Sequence, residues 1–326
     1  MLRHDILHLL AAHPEKYVSG ERISQQLKVT RAAIWKQIQA LKEEGFEIEG
    51  QTKKGYCLLK TPFSLDEWVL KKALTTLSLG CKIDLMDELE STNVRAKELA
   101  RQGGVHGQVV LARRQSSGRG RLQRQWESPK GGLWMSVILR PNLSLADASK
   151  ITLAASVAIV DAFEELYSFR IGIKWPNDLL FNGLKIAGIL GEVVGEWNAV
   201  QTMIIGMGIN VNFPREQLNP LLNATTLFEI LKHDVDLNIL AATILKNLEK
   251  QVISLEKKAF EELRVSWLER AIGLGEEVRI LRGDHVIQGI FKGITIDGAL
   301  LLETEEGENS FLAGEVQLRS KEGKYF

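Results

Sequence analysis

Within its first sixty residues this chain changes the period of its apolar pattern, from short helical stripes to strict alternation. Leu2, Ile6, Leu9 and Leu10 recur at helical spacing, and His13-Pro14 closes the run. Ile23 and Leu27 stand four apart in a second helical segment, Glu21 to Leu27. Thr30 is placed as the N-cap of a third, Arg31 to Lys42, in which Ile34, Ile38 and Leu41 form one stripe. Gly45 stops it. Phe46-Glu47-Ile48-Glu49 then alternates as a strand, Gly50 to Gly55 reads as a turn, and Tyr56 to Leu59 as the returning strand. Two short helices at a tight angle followed by a basic-tipped hairpin predict a winged helix-turn-helix.

The chain has 326 residues, room for two domains, or three if one is small. Lys60-Thr61-Pro62 marks a first boundary. From about residue 65 to 270, Gln108–Ala112, Leu133–Arg140, Ile171–Trp175 and Met203–Val211 read as strands, and Ala146–Leu166 and Leu237–Leu255 as helices. Helix and strand do not alternate strictly, which favours an α+β sheet over a doubly wound parallel one. From Gly275 on, four short apolar strands are predicted: Val278–Leu281, Val286–Phe291, Ala299–Glu303 and Phe311–Leu318. Gly283-Asp284 and Asp297-Gly298 serve as turns between them, giving a small β-barrel-like domain. No internal repeat and no low-complexity tract interrupts this order.

Net charge is zero, which on its face speaks against an anionic partner. The first sixty residues, however, hold ten Lys and Arg against seven Asp and Glu, so the rest of the chain is acidic. Inside that acidic remainder, residues 113–124 contain five arginines (Arg113, Arg114, Arg119, Arg121, Arg124) and no acid. Both segments are candidates for phosphate or polyanion binding. No apolar run approaches the roughly 20 residues of a membrane span. The opening Met1-Leu2-Arg3-His4-Asp5 does not read as a secretory signal, and two cysteines, Cys57 and Cys81, form no disulfide framework. A cytoplasmic protein with reduced thiols is expected.

On the third helical segment, Arg31, Lys36, Gln37 and Gln39 lie off the apolar stripe, where a recognition helix carries its groove contacts; Lys53 and Lys54 on the wing are placed to meet phosphates. Glu21, Arg22 and Thr30 complete the expected DNA-binding set. The competing reading is a solvated helix face on an interaction domain. Gly118-Arg119-Gly120-Arg121, followed by Arg124 and Trp126, joins glycines that let a backbone wrap closely around a ligand to guanidinium forks suited to carboxylate and phosphate. Mutual repulsion predicts a mobile loop until an anion arrives. Lys174-Trp175-Pro176-Asn177-Asp178 ends a strand, since Pro176 favours an extended Trp175. Asp178 is suited to bind a metal, to orient a ligand or simply to cap a turn. Lys185, beyond the turn Asn182-Gly183, would return toward the same cleft and stabilise developing negative charge. A P-loop is absent. Gly206-Met207-Gly208-Ile209-Asn210-Val211 lacks the third glycine of a dinucleotide fingerprint, and His4 with His8 lacks a third zinc ligand.

Ser91-Thr92-Asn93, the Gly-Arg-Gly-Arg loop with Arg124 and Trp126, Lys174 to Asp178, and Lys185-Ile186-Ala187-Gly188-Ile189-Leu190 stand in the order found in biotin protein ligases. Essentially the whole chain resembles that family. Its winged helix and its ending Ala313-Gly314-Glu315-Val316-Gln317-Leu318-Arg319 match the bifunctional bacterial type, both ligase and biotin operon repressor. The resemblance implies an α+β multidomain chain: a winged helix-turn-helix DNA-binding domain (1–62), a class II aminoacyl-tRNA-synthetase-like biotin/ATP-binding catalytic domain (63–272) and an SH3-like β-barrel (273–326). It implies ATP, biotin and Mg²⁺, a biotinyl-5′-AMP intermediate, and transfer to a lysine of a biotin carboxyl carrier protein. Biotin contacts carry over to Ser91, Thr92, Asn93, Gln115, Arg119, Gly120, Arg121 and Lys185. Nucleotide contacts carry over to Gly118, Arg119, Arg121, Trp126, Asn177, Asn210 and Arg319. Arg121, Lys185 and Asp178 are the implied catalytic residues, Asp178 for the acceptor-lysine step or for Mg²⁺, with no metal ligand set assigned. Gln123 departs from the pattern, since many relatives have glycine there. Adenylate binding is expected to order the arginine loop, favour a homodimer and place two winged helices on the operator of biotin genes. Three other readings stay open: a monofunctional ligase whose winged helix does not bind DNA, a lipoate–protein ligase, and a non-enzymatic transcription factor.

Overall fold

The computed structural model describes residues 2–144, 147–194, 202–282, 285–312 and 317–325. Two compact units result: Met1–Ala73 with Asp236–Asn238, and Leu74–Val235 with Ile239–Phe326.

In the first unit, α1 (Leu2–Ala11), α2 (Gly20–Leu27) and α3 (Arg31–Glu43) are followed by the hairpin β1 (Glu47–Gln51) and β2 (Gly55–Lys60), then by α4 (Glu67–Ala73). Ser19 caps α2 by accepting from Arg22 N at 3.1 Å, and Thr30 caps α3 by accepting from Ala33 N at 3.2 Å. Lys28, between them, takes φ 53°, so the chain turns tightly from one helix to the next. The stripe Ile34, Ile38 and Leu41 is fully buried, together with Ile6, Leu7, Leu10, Ile23, Phe46 and Ile48. Each such side chain contributes roughly 1.5–3 kcal/mol on leaving water, which is what holds three short helices together. Beyond Pro62 the unit continues: Trp68 and Val69 of α4 join this core, and Asp66 caps α4 while accepting from Arg3 at 2.5 Å. Asn238 donates to the Pro62 and Ser64 carbonyls and accepts from Asp66 N.

The second unit contains β3 (Ile83–Leu89), α5 (Thr92–Arg101), β4 (Val109–Gln115), β5 (Leu133–Leu139), α6 (Ala148–Leu166), β6 (Gly172–Lys174), β7 (Asp178–Phe181), β8 (Leu184–Val194) and β9 (Thr202–Ile209). Helices α7 (Leu227–Leu231), α8 (Leu237–Glu256, whose start belongs to the first unit) and α9 (Phe260–Leu268) follow. The seven strands form one sheet in the order β3-β4-β5-β9-β8-β7-β6, parallel only between β3 and β4, with α5 as the crossover. This is the mixed α+β architecture. The pleat separates two faces. A Cβ on Gly191 of β8 would meet Thr152 of α6, whereas one on its neighbouring-row partner Gly206 of β9 would meet Asn93 of α5. The two helices therefore cover opposite faces, and the α5 face carries the site.

The remaining strands, β10 (Glu277–Arg282), β11 (His285–Ile294), β12 (Leu300–Thr304), β13 (Gly307–Phe311) and β14 (Gln317–Ser320), make an antiparallel sheet in the order β13-β12-β11-β10-β14. The apolar pattern predicts one strand over Phe311–Leu318, but there are two. In β13 only Phe311 is buried, because an outermost strand pairs through its backbone and has no alternation to read. Gly283-Asp284, Ala146 and Ala313–Val316 lie outside the described residues. Cys57 is buried and Cys81 exposed, both as free thiols. No helix among the described residues is long and apolar enough to cross a membrane.

Candidate functional site

One lateral row of the seven-stranded sheet organises the site. Lys174 pairs with Asp178, Asp178 with Gly188, Gly188 with Gly208, and Gly208 with Trp134, across β6, β7, β8, β9 and β5. Directly paired residues share a face. The next row on that face runs Leu190, Gly206, Ser136. Lys185 stands three positions from Gly188, and strict alternation would turn it to the other face. A bulge at Ile186 of β8, opposite the Leu179–Leu180 step of β7, pairs Leu180 with Lys185, and this shift re-aims the lysine onto the site face. Its backbone is held there by bonds from Lys185 N to Asn223 O and from Thr225 N to Lys185 O.

The three glycines serve as a floor. A Cβ at Gly208 would lie 2.6 Å from Trp126 Nε1, one at Gly188 would lie 2.9 Å from the same indole, and one at Gly206 would lie 2.0 Å from Asn93 Oδ1. Trp126 and Asn93 are thus seated directly on bare strand backbone. A cavity of about 400 Å³ opens above.

On one side of it the lining is neutral and polar. Ser136, fully buried, donates to Asn93 Oδ1 at 2.6 Å and lies 2.7 Å from Thr92 Oγ1. Gln115 Oε1 accepts from Thr92 N at 2.8 Å, and its amide donates to Ser128 at 2.7 Å. Asn93 donates to Glu192 at 2.9 Å, and Lys97 meets the other Glu192 oxygen at 2.5 Å. With its partners on both sides, the Asn93 amide has one orientation.

Elsewhere in the same cavity, cations gather around Asp178. Lys185 Nζ lies 2.5 Å from Asp178 Oδ1 and 4.7 Å from the Trp126 ring centroid, and Tyr325 donates its hydroxyl to Asp178 Oδ2. Burial pushes the Asp178 carboxyl up, but Lys185, Tyr325 and Lys174 together outweigh it and hold the group below its usual range. Lys174 is 3 % exposed with its ammonium 3.5 Å from the Tyr325 ring centroid. Burial, reinforced by Arg319, Lys185 and Arg124 against Asp178, lowers its pKa to about 7. Burial likewise pulls Arg121 and Arg319 down from the ordinary guanidinium value.

The arginine loop is a small hairpin. Gly120 N donates to Arg124 O and Trp126 N to Gly118 O, with Leu122 and Gln123 at its tip at φ 54° and 57°. Gln123 therefore occupies a left-handed position that glycine accepts at no cost and other residues at roughly 1–2 kcal/mol. The expected repulsion between arginines is met by pairing: Arg113 with Asp87, Arg114 with Glu88 at 3.1 Å, Arg119 with Glu90 at 2.5 Å, and Arg121 with Asn177 Oδ1 at 3.0 Å. β3 supplies the first two acids and the residue after it the third, so the acids stand beside the strand that leads into the loop.

Of the ligand and catalytic positions expected from sequence, Ser91, Thr92, Asn93, Gln115, Arg119, Gly120, Arg121, Trp126, Asn177, Asp178, Lys185, Asn210 and Arg319 all border this cavity. Gly118 does not; a Cβ there would lie 2.3 Å from Trp126 O, so its role is to let the hairpin close. Sequence reasoning left Lys174, Arg124 and Tyr325 unassigned. Lys174 was findable as the first residue of the motif that ends in Asp178, its direct strand partner, whereas nothing local to Tyr325 marks it.

The first unit carries a groove between α3 and the wing, bordered by Glu21, Arg31, Trp35, Gln39, Lys42 and Lys53. Glu21 neutralises Arg31 at 3.1 Å, Arg22 lies on His13, and the Thr30 hydroxyl is spent as a cap. Lys36, Lys53 and Lys54 are exposed and Gln37 half-buried. Trp35, 58 % exposed on the same helix, was not singled out from sequence.

Residues 85–210 match the Biotin/lipoate A/B protein ligase family, residues 2–57 an HTH domain, and residues 273–319 the Biotin protein ligase C terminal domain. The chain is 37% identical over 323 residues to the bifunctional ligase/repressor BirA of Bacillus subtilis (strain 168), covering 97% of this chain and 98% of that one. To the protein of the same name from Escherichia coli (strain K12) it is 30% identical over 309 residues, 94% of each chain. Among solved structures, the biotin protein ligase from Aquifex aeolicus in complex with biotin and ATP superposes with a TM-score of 0.65 at 32% identity, over 74% of this chain and all of that one. With ligase motifs on one sheet face, an HTH domain ahead of them and a relative matched nearly end to end, the chain belongs to the family of bifunctional biotin ligase/repressors.

Proposed function

We propose that this protein activates biotin with ATP as biotinyl-5′-AMP, transfers the biotinyl group to a lysine of a biotin carboxyl carrier protein, and represses biotin genes through its winged helix. The observation that carries the reading is the single cavity in which a neutral polar set (Ser91, Thr92, Asn93, Gln115) and a cationic set (Arg121, Lys174, Lys185, Arg319) share one sheet face. Such a cavity suits a ligand with an uncharged hydrogen-bonding head and a carboxylate tail. In the first step a carboxylate oxygen attacks the α-phosphorus of ATP, and the bond to the β-phosphate bridge breaks to release pyrophosphate. Two anions meet there, and fixed cations in a partly dry cavity lower that barrier. Lys185 and Arg121 take this role. In the second step the acceptor amine attacks the acyl carbon, AMP leaves, and Asp178 takes the amine proton.

The nucleotide side of the reading rests on Trp126, Asn177, Asn210, Arg319 and Arg119, and two buried polar atoms in the cavity support it. Trp126 Nε1 and Asn210 Oδ1 have no hydrogen-bond partner among the described residues. No protein ligand set for Mg²⁺ is assigned: among the described residues no three His, Cys, Asp or Glu side chains converge. The cation then enters as the counter-ion of the ATP phosphates.

Domain limits of 1–62, 63–272 and 273–326, closure of the C-terminal sheet as an SH3-like barrel, a cytoplasmic setting and an adenylate-promoted homodimer on palindromic operator DNA belong to the same proposal. Incubation with ATP, Mg²⁺, labelled biotin and a carrier domain tests the ligase: label is expected on the carrier only when ATP is present, and transfer of lipoate instead would replace biotin as substrate. A mobility shift on the promoter of the biotin genes, at fixed salt, tests repression. Equal affinity with and without biotinyl-AMP would remove the coupling, and absence of binding would leave a monofunctional ligase.

A further inference from the structure

Tyr325 enters the cavity from the turn after β14, beyond Arg319 and outside every motif quoted from the sequence. β14 ends at Ser320, and the backbone then turns back on it: Ser320 N donates to Lys324 O at 3.0 Å, Gly323 N to Ser320 O at 2.9 Å, and Lys324 N to Ser320 Oγ at 3.2 Å, with Gly323 at φ 81°. This tied turn presents the Tyr325 ring between the Lys174 ammonium, 3.5 Å from its centroid, and the Arg319 guanidinium, 5.6 Å from it. The hydroxyl donates to Asp178 Oδ2 while Lys185 holds Oδ1.

We infer that Tyr325 is a positioning residue for acyl transfer, fixing the plane of the Asp178 carboxylate between its own hydroxyl and Lys185. The inference rests on the reading of Asp178 as the group that takes the acceptor's proton. Each carboxylate oxygen keeps a second lone pair after accepting one bond, so a clamped Asp178 still has room for the amine proton. The ring also packs on the Lys174 ammonium, which lies on the same side of the cavity as the carboxylate.

Removing the hydroxyl takes a donor from a buried carboxylate and favours its protonated form. The titratable groups facing Asp178 and Tyr325 are Lys174 from β6, Lys185 from β8, Arg121 and Arg124 from the loop and Arg319 from β14, all basic; they favour the carboxylate with or without the hydroxyl, so what Tyr325→Phe changes is the lost bond. The acid limb of the transfer step therefore moves to higher pH. A move of about half a unit lowers the rate about threefold below the limb.

The test is single-turnover transfer from preformed biotinyl-AMP to the carrier domain, followed against pH for the unchanged full chain, Tyr325→Phe, Asp178→Asn and the double variant. The expected result is an upward-shifted acid limb for Tyr325→Phe and no further effect of that change in the Asp178→Asn background. A superimposable profile, a loss uniform across pH, or an equal proportional loss in both backgrounds would overturn the inference while leaving the ligase reading intact. No transfer by the unchanged chain would overturn both.

Discussion

Lys174 and Lys185 are both lysines on the site face, yet their surroundings give them different chemistry. Lys185 is paired at 2.5 Å with Asp178, on the side of the cavity where the proposed reaction has the α-phosphate gain charge. Lys185→Ala is expected to slow biotin-dependent ATP–pyrophosphate exchange by about 10²–10³, the usual cost of one fixed donor at developing charge, while circular dichroism of the winged helix is unchanged. Unaltered exchange would remove Lys185 from the mechanism. Lys174 is buried among cations with a pKa near 7, against 10.5 for a free lysine. Between those values the unfolded chain binds the extra proton, so stability rises with pH through this window. Lys174→Met should therefore melt several degrees above the unchanged protein at pH 7, with the gap closing toward pH 10. A gap independent of pH would show that burial of this charge is not what costs stability.

At the scale of elements, the site depends on backbone left bare. Gly206 and Gly208 of β9 carry no side chain because Asn93 and Trp126 already occupy that space. Gly206→Ala should raise the biotin dissociation constant, and Gly208→Ala that of ATP, each at a cost of about 1–3 kcal/mol for forced overpacking, or roughly 5- to 150-fold, read by calorimetric titration. Either change with unaltered affinity would mean that the floor tolerates a methyl group. Gln123 at the hairpin tip offers the opposite case. Because it sits at φ 57°, Gln123→Gly removes strain of about 1 kcal/mol, and proteolysis of the loop in the absence of ligand should slow rather than accelerate.

For the whole molecule, the neutral total conceals two cationic sites in separate compact units. DNA binding by the first unit should weaken steeply with salt despite zero net charge, since the slope counts phosphates met locally. Lys53→Ala and Lys36→Ala are each expected to lower that slope by about one if they meet phosphate, measured by fluorescence anisotropy across a salt series. An unchanged slope for both would move the interface elsewhere on the unit, with exposed Trp35 and the groove beside it as the next place to look.

Local chemistry was enough to reveal the helical stripes of α1 to α3, the Thr30 cap and the hairpin, because period, capping and turn preferences act over a few residues. The ligase motifs, and Gln123 as an odd occupant of its loop, were legible through the family resemblance instead. Tertiary structure alone decided which face each motif residue took. Lys185 reaches Asp178 only because β7 and β8 pair through a bulge, and a register shift of one residue leaves no mark in composition or period. The same holds for β13, whose polar residues pair by backbone alone, and for Tyr325, which meets Asp178 across 147 residues of chain. Those contacts depend on how strands stack side by side, a property of the assembled sheet and not of any one segment.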